Sequence, residues 1–114
     1  MKVEKFEDLI CWQKAKDLNL LVYSLFKSNR DFAFRDQILR AVLSVMNNIA
    51  EGFERYSNKD LKNFLYIAKG SCGEVRSMLY LALSFGYIKQ NDYDESMSVV
   101  LEVSKLLGGF IKTL

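Results

Sequence analysis

The sequence predicts an all-α protein, an antiparallel up-and-down four-helix bundle, on three observations. Apolar residues recur at spacings of three and four in four separate windows, which places each set on one helical face. Short polar connections join the windows, so successive helices fold back on one another. The chain also contains no proline and only six scattered glycines, whereas strand turns and long loops draw on both. A length of 114 residues fits one domain, residues 1–114.

The first helix is expected over about Asp8 to Lys27. Cys11, Ala15, Leu18, Val22 and Leu25 share a face, with an acid at the start and a base at the end to suit the helix dipole. The segment SNRDF then breaks the pattern. The second helix is expected over about Arg35 to Arg55, with Ile38, Val42, Val45, Ile49 and Phe53 as its stripe and Leu39, Ala41 and Met46 widening it. Ser57 is placed to cap the third helix, with Asp60 answering three residues later. That helix runs to about Ser84, with Leu61, Phe64, Leu65, Ala68, Cys72, Val75, Leu79 and Ala82 inward. Gly86 follows where a left-handed cap is wanted. The fourth helix is expected to begin after Asn91 as its cap, and Tyr93, Met97, Val100, Leu107 and Ile111 point inward. Gly108 and Gly109 weaken its last turns, since a mid-helix glycine costs about 1 kcal/mol relative to alanine.

Composition excludes several classes of function. With no histidine and no paired-cysteine spacing, a zinc site has no ligand set. The commonest general base at neutral pH is missing too. Cys11 and Cys72 fall on apolar faces and are expected to be buried, reduced thiols. No apolar run reaches the roughly 18 residues of a membrane-spanning helix. The N-terminal segment MKVEKFEDLICW carries acids where a secretory signal is apolar, so the chain reads as cytoplasmic. A net charge of +2 does not announce nucleic acid. No cofactor and no small-molecule substrate is implied. Half of the residues are nonetheless apolar, a high fraction for so small a domain, which points to surface buried between copies of the chain.

Three sets of residues stand outside the core pattern. Arg40, Ser44, Asn48, Glu51 and Arg55 line one side of the second helix, and Ser71 and Glu74 sit at the edge of the third. A Glu51–Glu74 pair would be the candidate for acid–base or metal chemistry, but a di-metal bundle wants Glu-x-x-His spacings. The alternative is a structural polar seam in which Arg40 and Arg55 meet carboxylates while Asn48 and Ser71 satisfy partly buried groups, fixing helix register or subunit pairing. On the third helix Tyr66, Gly70, Gly73, Ser77, Tyr80 and Ser84 line the side away from the core, where a solvated face would carry Lys, Glu or Gln. Small residues between tyrosines admit another backbone and keep polar tips at the rim, which suggests a subunit contact; the competing reading is packing within the subunit. Lys62, Lys69 and Arg76 recur every seven residues, with Arg55 and Lys59 at the preceding connection. This row is either a solvated face or a belt for RNA or DNA phosphates.

The segments QILRAVLSVMNNIAEGFER, FLYIAKGSCGEV and LALSFGYI, with the opening FEDLICWQKAKDL, resemble the four-helix-bundle proteins encoded within intervening sequences of bacterial 23S ribosomal RNA genes. The resemblance covers about Phe6 to Leu114. It implies a homo-oligomeric ring, commonly a pentamer, with no assigned cellular role and no ribosomal one. Related bundles accompany the reverse transcriptases of diversity-generating retroelements, which implies nucleic acid as an alternative partner. Two places depart from the family pattern. Val42-Leu43 replaces smaller residues, and Met46-Asn47 stands where Pro-Ser is frequent, which removes a reason for the second helix to bend.

Overall fold

The computed structural model describes residues 3–114, and these form four α-helices preceded by one 3-10 turn, Phe6–Asp8. The helices are α1 (Ile10–Phe26), α2 (Phe32–Phe53), α3 (Asn58–Phe85) and α4 (Gln90–Lys112). Each packs on its chain neighbours, and α4 closes the ring against α1, while the backbones of diagonal helices stay apart. The bundle measures 43 × 23 × 19 Å. Its long axis is that of α3, since 28 residues at about 1.5 Å each rise about 42 Å.

The core consists of the predicted stripes. Ala15, Leu18 and Val22 of α1, Ile38, Val45 and Ile49 of α2, Leu65, Ala68, Cys72, Val75, Leu79 and Ala82 of α3, and Val100, Val103 and Leu107 of α4 are fully enclosed. Several positions differ: Phe26 rather than Leu25 fills the end of α1, Phe53, Phe64 and Tyr93 are only half-buried, and Phe34 and Val103 join the core from outside the expected stripes. Phe26 stacks against Phe34 with ring centroids 5.8 Å apart, and Leu25 is only half-buried.

Three helix starts depart from the sequence reading. Asp8 belongs to the 3-10 turn, and α1 starts two residues later, because Leu9 is buried and the Phe6 ring meets Trp12 edge-on at 5.2 Å. α2 starts at Phe32, not Arg35, capped by Asp31, whose Oδ1 accepts the Phe34 N–H at 3.2 Å. The other carboxylate oxygen accepts the Tyr87 hydroxyl at 2.6 Å, so one aspartate ties the α1–α2 connection to the α3–α4 connection. Phe34, Phe85 and Tyr87 pack their rings around that tie. α3 opens at the predicted cap, with the Ser57 hydroxyl accepting the Asp60 N–H at 3.1 Å. It closes at Gly86, φ 75°, where the Tyr87 N–H reaches back to the Ala82 carbonyl at 2.9 Å, the Schellman closure that favours glycine. α4 begins at Gln90, so Asn91 lies inside the first turn and does not cap it; Lys89 holds the cap position without a side-chain bond. Neither Gly108 nor Gly109 interrupts α4.

Candidate functional site

The polar positions of α2 and α3 meet along the junction between these two helices. At its centre the Ser44 and Ser71 hydroxyls lie 2.8 Å apart, and the Asn48 amide donates to both the Ser44 hydroxyl and the Ser44 carbonyl at 2.9 and 2.8 Å. Toward one end the Gln37 amide donates to Glu74 at 2.6 Å. Toward the other, Arg55, just past the end of α2, pairs with Glu51 in the last turn of that helix at 2.8 Å. The Arg55 guanidinium also lies over the Phe64 ring, 4.7 Å from its centroid. Both charges of the Arg55–Glu51 pair are about half exposed. Arg40 is exposed and forms no ion pair among the described residues, so the expected Arg40–carboxylate contact is absent and Glu74 takes an amide instead.

This geometry separates the two carboxylates. Ser44 and Ser71 mark the same level of antiparallel helices. Glu51 lies seven residues from that level in one direction and Glu74 three in the other, a separation of about 15 Å along the axis at about 1.5 Å per residue. Carboxylates that act on one bond stand about 5–9.5 Å apart. The pair therefore cannot share a substrate atom.

The sequence reading did not single out Gly52 as a site, yet it is the tightest point of the junction. A Cβ there would lie 2.7 Å from Phe64 Cβ and 3.2 Å from Leu61 Cδ1. Only a glycine lets the end of α2 come this close to the start of α3. The signal available in sequence was the cost of a glycine inside an uninterrupted apolar helix.

The outer face of α3 is unlike that of a solvated helix. Tyr66, Gly70, Gly73, Ser77 and Tyr80 are all exposed, and a Cβ on Gly70 or Gly73 would meet nothing within 4 Å. No helix of the same subunit covers these glycines. Tyr80 also serves the subunit itself, its ring 5.9 Å from that of Tyr93. Beside them Ile67, Leu81 and Phe85 are exposed as well. The only charged residues among the exposed positions from Asn63 to Phe85 are Lys69 and Glu74.

The basic row turns toward α4. Lys69 crosses the junction to donate to the Ser104 hydroxyl at 3.2 Å. Lys62 and Arg76 are half-buried, and the Arg76 Nε is enclosed without a partner among the described residues. Arg55 stands apart, held by Glu51 and Phe64, while Lys59 is exposed at the start of α3. The structure thus divides the five candidates instead of aligning them.

A cleft of about 540 Å³ opens at the end of the bundle, lined by Leu9, Ile10, Cys11, Phe53, Leu106 and Phe110 among others. Burial raises the Cys11 thiol to about 11, so it carries little thiolate at neutral pH. Burial likewise pushes Cys72 up to about 12, against the pull of Lys69 and Arg76. No three His, Cys, Asp or Glu side chains converge on a metal-sized site among the described residues. No described helix is long and apolar enough to cross a membrane.

Two of the resembling segments, QILRAVLSVMNNIAEGFER (residues 37–55) and FLYIAKGSCGEV (residues 64–75), face each other across this single junction. The family model for the 23S rRNA-intervening sequence protein matches residues 7–109. The chain belongs to this family. A solved relative, described as a protein with unknown function from the S23 ribosomal protein family of Bacteroides thetaiotaomicron, is similar over 90% of this chain and 99% of its own, at 28% identity and a TM-score of 0.86. No curated protein matches the sequence. In this chain α2 runs unbroken from Phe32 to Phe53. Of the two bulky residues after Ala41, Val42 fills the core while Leu43 stays exposed.

Proposed function

We propose that the protein is a non-enzymatic subunit of a cytoplasmic homo-oligomer, a scaffold or accessory protein, with five subunits in a ring as the family resemblance implies. The observation that carries this reading is the outer face of α3. Tyr66, Ile67, Tyr80, Leu81 and Phe85 are each more than two-fifths exposed. The two charged residues among them are already bonded, Lys69 to Ser104 and Glu74 to Gln37. Single exposed apolar side chains are ordinary, but two groups of them, Tyr66 with Ile67 and Tyr80 with Leu81 and Phe85, on one helix favour a protein contact. Gly70 and Gly73 add a bare stretch of helix backbone that a second chain could approach. The absence of catalysis is supported by the α2–α3 junction, where Ser44, Asn48, Ser71 and Glu74 bond one another or Gln37.

Light scattering at micromolar concentration is expected to give a multimer of the 13.2 kDa chain. Gly73→Leu, which has room within its own subunit, is expected to shift that multimer toward monomer while circular dichroism stays helical. A wild-type monomer, or a multimer indifferent to both Gly73→Leu and Ile67→Glu, would overturn the reading.

A further inference from the structure

The groove between α3 and α4 concentrates positive charge that no ion pair among the described residues neutralises. Lys69 from α3 and Lys105 and Lys112 from α4 line one cleft of about 500 Å³, together with Ser104, Gly108 and Gly109. No carboxylate lines it, and the ion pairs of the described residues, Lys14–Glu102, Arg35–Asp36 and Arg55–Glu51, use none of these lysines. Three unpaired cations in one cleft exceed the net charge of the whole chain, +2. The cluster is therefore a local arrangement and not the share of a uniformly basic surface.

The cleft is also built. Lys69 is held across the junction by the Ser104 hydroxyl at 3.2 Å, and its stem passes 3.5 Å from where a Cβ on Gly108 would stand. Gly109 opens the floor further, with nothing within 4 Å of its Cβ position. Lys112 lies in the last turn of α4, an ordinary place for a cation beside unpaired carbonyls. That explanation does not extend to Lys105, two turns earlier, or to Lys69 on another helix. Seven residues separate Lys105 from Lys112, about 10 Å of helical rise, more than one phosphate group spans.

We propose that the α3–α4 cleft binds linked phosphate groups through Lys69, Lys105 and Lys112. Each subunit carries the whole cleft, so the proposal stands independently of assembly. Linked phosphates reach such a cleft either as the backbone of a single-stranded RNA or as a free polyphosphate chain. Lysine ammonium groups recognise both as point charges, and backbone contacts of this kind do not select sequence.

The test uses a fluorescein-labelled oligouridylate of twelve nucleotides, read by anisotropy at low and near-physiological salt, with inorganic tripolyphosphate as competitor and as a separate calorimetric probe. The variants are Lys69→Gln/Lys105→Gln and Gly109→Glu, the second adding an acid where space is open. Lys16→Gln/Lys27→Gln, on exposed positions of α1 and its end, makes the same change in net charge away from the cleft. Both cleft variants are expected to weaken binding about tenfold or more. The double variant is also expected to lower the salt slope by roughly 1.4, about 0.7 per phosphate of a single strand. The α1 variant is expected to stay within about twofold of wild type. Oligouridylate binding that tripolyphosphate does not displace assigns the cleft to an RNA backbone; tripolyphosphate binding alone assigns it to a free polyphosphate. No binding of either probe at low salt, or equal losses in the cleft and α1 variants, overturns the proposal. Light scattering of the same samples separates this result from any failure of assembly.

Discussion

Replacing Gly52 by alanine sets two known effects against each other at one position. In an exposed helix the change is favourable by about 1 kcal/mol, because alanine has less backbone freedom to lose. Here the added Cβ would stand 2.7 Å from Phe64 Cβ and 3.2 Å from Leu61 Cδ1. Phe64 Cβ is fixed to the α3 backbone, so no rotamer change relieves the contact and the two helices must separate. Overpacking of this kind costs about 1–3 kcal/mol, and a contact that can be relieved only by moving a helix belongs in the upper part of that range. The expected net loss is about 1–2 kcal/mol.

For 114 residues the unfolding entropy is about 0.24 kcal/mol/K, so each kcal/mol shifts the melting temperature by about 4 °C. Gly52→Ala should therefore melt about 4–8 °C below wild type. Gly109→Ala supplies the comparison, because its Cβ meets nothing within 4 Å. It should melt as much as about 4 °C above wild type on helix propensity alone. The assay is thermal circular dichroism at one fixed protein concentration, since any self-association would make the midpoint concentration-dependent. A Gly52→Ala protein that melts at or above wild type would refute the close approach of α2 and α3.

Three further outcomes follow from the same geometry. Ser71→Ala should cost about 0.5–1 kcal/mol, because Ser44 keeps its bond from Asn48. Ser44→Ala, which strips both contacts, should cost about 1–2, and the double variant should be no less stable than Ser44→Ala alone; additive losses in urea melts would contradict a shared network. The Tyr87 hydroxyl bond and the Phe34 N–H hold Asp31 below its ordinary 3.8, and the Asp31 bond raises Tyr87 above 10.0. Their contribution is then complete between those values, lost as acid passes below the folded Asp31 value and lost as alkali passes above the folded Tyr87 value. Urea midpoints of wild type and Asp31→Asn should accordingly differ most near neutral pH and converge as the pH falls below 3.8 through the folded Asp31 value, and a constant gap would refute the tie. Finally, Cys11 and Cys72, raised to about 11 and about 12, should react slowly with a disulfide reagent at pH 8. Cys11, at the end cleft, should react before the fully enclosed Cys72, with both fast in denaturant; immediate native-state labelling would contradict their burial.

What was legible in the sequence depended on whether the cause was local. The four helices follow from periodicity, and the Ser57 and Gly86 caps follow from side chains acting within a turn of themselves. The start of α2 rests on a local cap, Asp31 accepting the Phe34 N–H, but the second bond of that aspartate, from Tyr87 56 residues away, was not legible. The same limit applied to Asn19, whose amide donates to the Val42 carbonyl of α2 at 2.8 Å and which looks in sequence like any polar residue of a helix. In the candidate site, Ser44, Asn48 and Ser71 were identifiable as polar residues beside apolar stripes, but their partners were not. Arg40 and Arg55 illustrate the difference, since each has an acid four residues before it, Asp36 and Glu51, yet Asp36 is taken by Arg35 while Glu51 pairs with Arg55.

The division of α3 into four faces explains why one helix carries so many unrelated signals. Its inner face is committed to the core, and its α2 flank is committed to the hydroxyl and amide network that ends at the Gly52 crossing. Its α4 flank holds Lys69 beside Lys105 and Lys112. What remains is the outer arc from Tyr66 to Phe85, which carries no charge that a bond within the subunit has not already engaged. A partner seated on that arc need not displace any contact of the fold, and it leaves the lysine cleft on the neighbouring flank. Self-association and phosphate binding are therefore separable by substitution: Gly73→Leu should dissolve the first and spare the second, while Lys69→Gln/Lys105→Gln should do the reverse. A single variant at Gly73 that abolished both, with helicity intact, would mean that the cleft is completed across a subunit boundary and that its three lysines are only half of the site.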